Sequence, residues 1–364
     1  MLVKDITSYL ESIAPLSSQE SYDNSGLICG NPQTKVTNAL ISLDCIEEVV
    51  DEAIEKNCNL IISHHPIVFK GLKSFTGKNY VERTIIKAIK NDIAIYAIHT
   101  NLDNYLKGVN DKIAQLLNIK NPRILAPSNK TLNKLSVYVP LTHKNIVMDA
   151  LFNAGAGHIG NYSECSFTQE GEGSFKGNQN TKPFVGNIDE RHYEKEVKIE
   201  VMLSAHKKSQ IISAMLKSHP YEEVAYDIYP LLNTNHYEGA GMIGEVPNKI
   251  DTIQFLQQLK ETFKCGIIKH TTISTSKIKT VAWCGGAGSL LLKQAKQQKA
   301  DIFITGDFKY HEFFDAENQI IIADIGHFES EQYTIDLIAE LLSKNFINFA
   351  PCLTEINTNP VKYF

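Results

Sequence analysis

The feature that most restricts how this chain can fold is a recurring unit: a short, almost wholly apolar run that stops abruptly at polar residues. Such runs occupy positions 39–44, 59–63, 93–98, 279–283, 302–304 and 320–324. Between most of them lie segments with apolar residues at helical spacing, such as 46–56, 81–89 and 290–298. Uniformly apolar runs of this length read as strands buried on both faces, and their alternation with helices reads as a parallel α/β sheet. Ligands bind such sheets in the crevice beyond the carboxyl ends of the strands. The polar residues that end each run are therefore the first place to look for chemistry.

The chain opens with Val3, Ile6, Leu10 and Ile13 at helical spacing, ended by Pro15, followed by a turn at 21–26 and a short apolar run at 27–29. From about residue 124 the pattern changes. A strand at 135–139, a helix at 145–152, a polar Gly-rich stretch at 158–177 that suggests an exposed hairpin arm, a strand at 197–203, a helix at 210–216 and a strand at 223–229 follow in turn. This β-α-β-β-α-β order is the ferredoxin-like unit, whose first and last strands are neighbours, so its ends emerge side by side and it can interrupt a host. The host pattern resumes near Gly239, with helices at 252–263 and from Gly326 to about Leu342. The expected fold class is thus a two-part α/β host domain, residues 1–123 and 239–364, interrupted by an inserted α+β domain at 124–238. A chain of 364 residues is long enough for both.

A net charge of −5 and a pI near 6.2 leave no basic footprint for nucleic acid or an anionic membrane. No apolar run approaches the roughly 20 residues of a spanning helix. The first residues lack a signal-peptide pattern, so the expected location is cytoplasmic. Seven cysteines without a CxxC pair point neither to a disulfide framework nor to a thiolate zinc site.

Two adjacent imidazoles, His64 and His65, end the run at 59–63, and His99 and Asp103 follow the run at 93–98. Right-handed crossovers would bring these strand ends to the same sheet edge. Farther on, His327 and Glu331 are spaced i, i+4, on one face of a helix that Gly326 can start. His64, His65, Asp103, His327 and Glu331 together offer more N and O donors than one catalytic zinc takes. They suit two divalent ions about 3.5–4 Å apart, bridged by a carboxylate. Imidazole and carboxylate without thiolate leave the metal open among zinc, manganese, iron, nickel and cobalt. His99, Asp307 and His311 follow strands and are the candidates for catalytic proton transfer or for supporting the ligands. Asp44, also at a strand end, is not expected to act. The turn from Cys284 to Ser289 is either a phosphate cradle or close helix–sheet packing; it lacks the Walker lysine. His219-Pro220-Tyr221-Glu222-Glu223 reads as a rigid loop of the insert.

Ser63-His64-His65-Pro66, His99-Thr100-Asn101-Leu102-Asp103, Gly285-Gly286-Ala287-Gly288 and His327-Phe328-Glu329-Ser330-Glu331 resemble, in order and context, the motifs of the NIF-three-like family of dinuclear metal proteins, the GTP cyclohydrolase 1 type 2 homologues. The resemblance spans essentially the whole chain, its insert being similar to a PII-like or CutA-like domain. It implies the same five metal ligands, two divalent ions per subunit such as zinc, iron or manganese, and a homohexameric toroid with the sites facing an internal cavity. Tyr22 departs from it, standing where the family motif commonly has Trp before Asp-Asn. The leading expectation is a dimetal hydrolase of a nucleotide or related heterocycle, with GTP ring opening as the named reaction. The alternative is a non-enzymatic metal-binding or regulatory assembly that stores, delivers or senses metal.

Overall fold

In the computed structural model, which describes residues 1–129 and 131–364, the apolar runs become strands of two sheets within one unit, Met1–Pro127 together with His236–Phe364. The first sheet has the order β1-β4-β3-β2-β15, where β1 is Gly26–Cys29, β2 Ala39–Ser42, β3 Leu60–Ser63, β4 Ala94–Ala97 and β15 Cys352–Leu353. β2, β3 and β4 run parallel and in step, Ser42 level with Ser63 and Ser63 with Ala97. Their carboxyl ends therefore fall together, which is what places the residues after β3 beside those after β4.

Strand alternation sorts the side chains into two cores. Ile41, Leu60, Ile62 and Tyr96 face one way, into a core shared with α1 (Val3–Ile13) and α5 (Val109–Leu116). Leu40, Ile61 and Ile95 face the other way, against α2 (Glu47–Glu55) and α3 (Tyr80–Lys90). Both faces are covered, which is why these runs carry no polar alternation.

The second sheet has the order β11-β14-β13-β12-β10-β5, with β5 Lys120–Asn129, β10 Thr234–Asp251, β11 Lys269–His270, β12 Lys277–Ala287, β13 Ile302–Gly306 and β14 Ile321–Asp324. β12, β13 and β14 are parallel. Val281, Trp283, Ile302, Ile304, Ile321 and Ala323 join the same core as Ile41 and Ile62, along with α8 (Thr252–Thr262) and α11 (Thr334–Asn345). Ala282, Phe303 and Ile322 pack on the other side with α9 (Leu292–Gln297). The two sheets thus share one central core. At about 1.5–3 kcal/mol for each fully buried large apolar side chain, that core fixes how the two sets of strand ends meet.

Three elements differ from the sequence reading. The first 12 residues of β10 include three glycines, Gly239, Gly241 and Gly244, that disfavour a strand by propensity. Close approach requires two of them, since a Cβ on Gly241 would lie 2.8 Å from Leu291 and one on Gly244 2.5 Å from Ile119. The helix expected from Gly326 to Leu342 is two, α10 (His327–Glu331) and α11. At the break, the side chains of Gln332 and Tyr333 bond the carbonyls of Phe263 and Thr262. Finally, the residues expected to form a turn after Trp283 continue β12 through Ala287.

The other unit, Ser128–Asn235, has its own core. It contains β6 (Leu132–Pro140), α6 (Lys144–Asn153), β7 (Ser166–Lys176), β8 (Arg191–Ser204), α7 (Lys208–Ser218) and β9 (Tyr226–Pro230). The sheet order is β7-β8-β6-β9, antiparallel throughout. Leu135, Val137, Val197 and Ile199 pack against Val147 and Leu151 of α6 and Ile211 and Met215 of α7. The Gly-rich stretch read as an exposed arm is largely β7, paired along β8 from Ser166 to Lys176.

Candidate metal centre

Backbone hydrogen bonds carry the β3 ladder past its last residue: the His64 amide donates to Ser42 at 3.1 Å and the His65 amide to Leu43 at 2.9 Å. Both imidazoles are thereby fixed at the carboxyl edge of the first sheet. After β4 the chain turns into the short helix α4 (Thr100–Asp103), which presents Asp103 to the same place. From the second sheet, β14 leads through Gly326, at φ +94°, into α10, which carries His327 and Glu331 on one face. Gly306 at the end of β13 lets this helix approach, because a Cβ there would sit 2.8 Å from the His327 amide nitrogen.

Five side chains from the two sheet ends converge. Glu331 is at their centre. Its Oε2 lies 2.9 Å from His65 Nε2 and 3.1 Å from His327 Nε2, while its Oε1 lies 3.8 Å from His64 Nε2. His64 Nε2 is in turn 3.6 Å from Asp103 Oδ1. His65, His327 and Glu331 form one potential cation-binding group, and His64, Asp103 and Glu331 another. A third group combines His64, His65 and His99.

The outer nitrogens decide which atoms face inward. His64 Nδ1 lies 2.8 Å from the Ile98 carbonyl, which can only accept, so Nδ1 holds the hydrogen. His65 Nδ1 donates to Asp44 at 2.8 Å, His327 Nδ1 to Asp307 at 2.7 Å and His99 Nδ1 to Asp23 at 2.8 Å. In the neutral rings this leaves the Nε2 lone pairs turned toward one another, with those of His65 and His327 only 3.3 Å apart. Asp103 Oδ1 and His64 Nε2 are buried with no hydrogen-bond partner among the described residues, although burying such groups unsatisfied is unfavourable. Lone pairs and orphaned acceptors at about 3–4 Å spacing are what a shared cation satisfies, since donors bound at about 2.0–2.2 Å stand about that far apart. The residues present therefore fit a metal.

The electrostatics agree. Burial disfavours the charged rings, yet the neighbouring carboxylates win, raising His65 to about 9 through Asp44 and Glu331 and His327 to about 11 through Glu331 and Asp307. Burial and the Glu331 charge push the Asp103 carboxyl up to about 7. Burial works against the Glu331 carboxylate as well, but the surrounding imidazoles, His327 foremost, hold it well below the usual range. A field that attracts protons this strongly also attracts a cation set among the same atoms.

The glycines of β12 explain how a carboxylate can be buried here. A Cβ on Gly286, which sits at φ +62°, would lie 2.3 Å from Glu331 Oε1. The amides of Gly285, Gly286 and Gly288 donate to Asn110 Oδ1, Ser330 Oγ and Thr305 Oγ1. With these amides bonded to side chains, the segment serves close packing, and the phosphate-cradle reading of it is not supported.

Of the second-tier candidates, His99 and Asp307 join the cluster, His99 in the third group and Asp307 behind His327. His311 does not: it is exposed in the 3-10 turn after β13, its ring packing against Tyr310 and Phe314. The supporting carboxylates Asp23 and Asp44 are what the sequence reading missed. Asp44 was visible as a strand-end residue, but the partner it supports was not. A cavity of 1460 Å³ opens over the cluster, with Tyr22, Phe69, Cys284 and Tyr363 among its walls.

Residues 1–360 match the family described as Duf34/NIF3 (NGG1p interacting factor 3). The chain belongs to that family. It is 38% identical over 367 residues to the GTP cyclohydrolase 1 type 2 homolog of Bacillus subtilis (strain 168), covering 99% of this chain and 98% of the relative. A GTP cyclohydrolase 1 type 2 homolog of Staphylococcus aureus (strain MSSA476) is 37% identical, with 100% of both chains covered. Among solved structures, a Bacillus cereus protein related to NIF3 superposes with a TM-score of 0.87 at 36% identity, covering 100% of this chain and 99% of that one. This Duf34/NIF3 chain has a mixed α/β fold with several sheets, and its His, Asp and Glu groups could hold a metal ion. No helix among the described residues is long and apolar enough to cross a membrane.

Proposed function

We propose that this protein is a dinuclear metal-dependent hydrolase of a nucleotide or related small heterocycle. The observation that carries the reading is the division of Glu331 between two donor groups, Oε2 toward His65 and His327 and Oε1 toward His64. His65, His327 and Glu331 would hold one divalent ion, and His64, Asp103 and Glu331 the other. When bound, such a pair supplies acidified water and polarises an electrophilic carbon. His99 keeps Nδ1 on Asp23 and so presents Nε2 as the atom that exchanges a proton with substrate. Asp44 and Asp307 hold His65 and His327 in the tautomer that faces the ions. Tyr22 and Phe69 on the cavity wall offer flat faces suited to a heterocycle.

The names of the relatives favour GTP as the first substrate to try, on the basis of likeness alone. The homohexamer that the family resemblance implies is part of the same proposal. The β-α-β-β-α-β order and the strand order of the Ser128–Asn235 unit support reading it as an inserted ferredoxin-like domain, similar to PII or CutA. The test is metal-dependent turnover across a panel of nucleosides, nucleotides and free bases, beside Asp103→Ala and His64→Ala. The reading expects turnover that requires added metal and is lost in both variants. Turnover that survives His64→Ala removes the site assignment. No turnover in the metal-loaded protein overturns the hydrolase and leaves a centre for metal storage or sensing.

A further inference from the structure

We infer that the segment 354–363 is a working part of the metal centre: it fastens the supporting shell on both sides of the cluster through the adjacent residues Thr358 and Asn359. The inference rests on the dinuclear reading above and extends it to residues that supply no donor themselves.

The segment leaves β15, which pairs in parallel with β2, Cys352 level with Leu40 and Leu353 with Ile41. It then follows β2 toward its carboxyl end. The Thr354 amide donates to the Ile41 carbonyl at 2.9 Å, and Thr354 and Glu355 both donate to the Glu52 carboxylate. At the end of this path the Thr358 hydroxyl, in a residue only 8% exposed, donates to Asp44 Oδ2 at 2.6 Å. The other oxygen of Asp44 accepts from His65 Nδ1 at 2.8 Å. Thr358 therefore orients the carboxylate that orients an inward-facing imidazole.

The next residue reaches the opposite donor element. Asn359 Nδ2 donates to Glu329 Oε1 at 3.2 Å, and the Tyr363 hydroxyl lies 3.4 Å from the same oxygen. Glu329 sits on α10 between His327 and Glu331 and is itself buried at 6% exposure. One short segment is thus bonded to the support of His65 from the first sheet and to the helix bearing His327 and Glu331 from the second. Two donor elements with no sequence proximity are tied by consecutive side chains, and a small shift of either would spread the His65 and His327 nitrogens. Thr358, Asn359 and Tyr363 also border the cavity, so the same segment shapes access to the cluster.

Thr358 and Asn359 are positioning residues, and the readout is metal affinity rather than turnover. Full-length protein stripped with a chelator is titrated with zinc against a chromophoric competitor, as wild type, Thr358→Val, Thr358→Ser, Asn359→Leu, Asp44→Asn and His65→Ala. Loss of an outer partner weakens metal binding by about 10–100-fold, the range expected for Asp44→Asn. Thr358→Val, one bond farther out, is expected to weaken the site that uses His65, by less than Asp44→Asn does, and Thr358→Ser to restore it. The metal-free unfolding midpoint of Thr358→Val, read alongside, is expected to stay close to wild type, which separates positioning from general stability. Thr358→Val and Asn359→Leu that bind zinc like wild type, while Asp44→Asn does not, overturn the role of the segment and leave the centre intact. Unchanged zinc binding in His65→Ala overturns the centre itself.

Discussion

Replacing Glu331 by Gln acts on the one residue that belongs both to the His65–His327 group and to the His64–Asp103 group. Gln keeps the volume and removes the charge from both. A cation present at 100 times its dissociation constant stabilises the native state by about 2.7 kcal/mol, so two independent sites add about 5 kcal/mol. For a unit of this size class each kcal/mol moves the midpoint by about 2–4 °C, giving a zinc-induced rise of about 10–20 °C in the wild type. Glu331→Gln should lose nearly all of that rise. Asp103→Asn, which touches one group only, should keep about half. The assay is thermal unfolding of chelator-stripped protein with and without zinc, followed by tryptophan fluorescence. Trp283 is the only tryptophan and is fully buried in the core shared by the two sheets, so the signal reports on the unit that holds the cluster. A full zinc-induced rise in Glu331→Gln would refute the shared carboxylate, and equal losses in the two variants would refute the division into two groups.

Other expectations follow from the same geometry. Asp307→Asn, which weakens the hold on His327 Nδ1, should reduce zinc affinity by about 10–100-fold in competition titrations. Gly286→Ala places a methyl group 2.3 Å from Glu331 Oε1 at a left-handed backbone position, so metal analysis should find it unable to retain zinc through gel filtration. Glu82 accepts from the Thr76 amide, the Lys78 amide and the Thr76 hydroxyl, which hold its pKa at about 2. An unfolded Glu titrates near about 4.3, so this depressed value favours the folded state above about pH 4.3 and the benefit fades as pH falls toward 2. Chemical denaturation from pH 6 to pH 2.5 should accordingly show a shallower loss of stability in Glu82→Gln than in the wild type.

The sequence made the local elements of the host legible because burial on both faces leaves runs such as 59–63 and 302–304 with no polar alternation. It also exposed the donors, because strand ends are where an α/β sheet places its ligands: His64, His65, Asp103, His327 and Glu331 all lie just past a strand. What it could not show was pairing across the chain. Asp44 backs His65 only because β2 and β3 are in register, and Asp23 backs His99 through a contact between loops 76 residues apart. His311 follows a strand like the others, but a 3-10 turn carries it out to solvent, and no spacing rule separates that turn from a first helical turn. Much of β10 was hidden for a different reason, since its glycines answer to neighbours such as Leu291 and Ile119 that are remote in sequence.

The central claim is that two cations share Glu331. Crystals of the zinc-loaded protein measured on both sides of the zinc absorption edge test it directly. Two anomalous peaks about 3.5–4 Å apart are predicted, one among His65, His327 and Glu331 and the other among His64, Asp103 and Glu331. A single peak, or peaks away from Glu331, would contradict it.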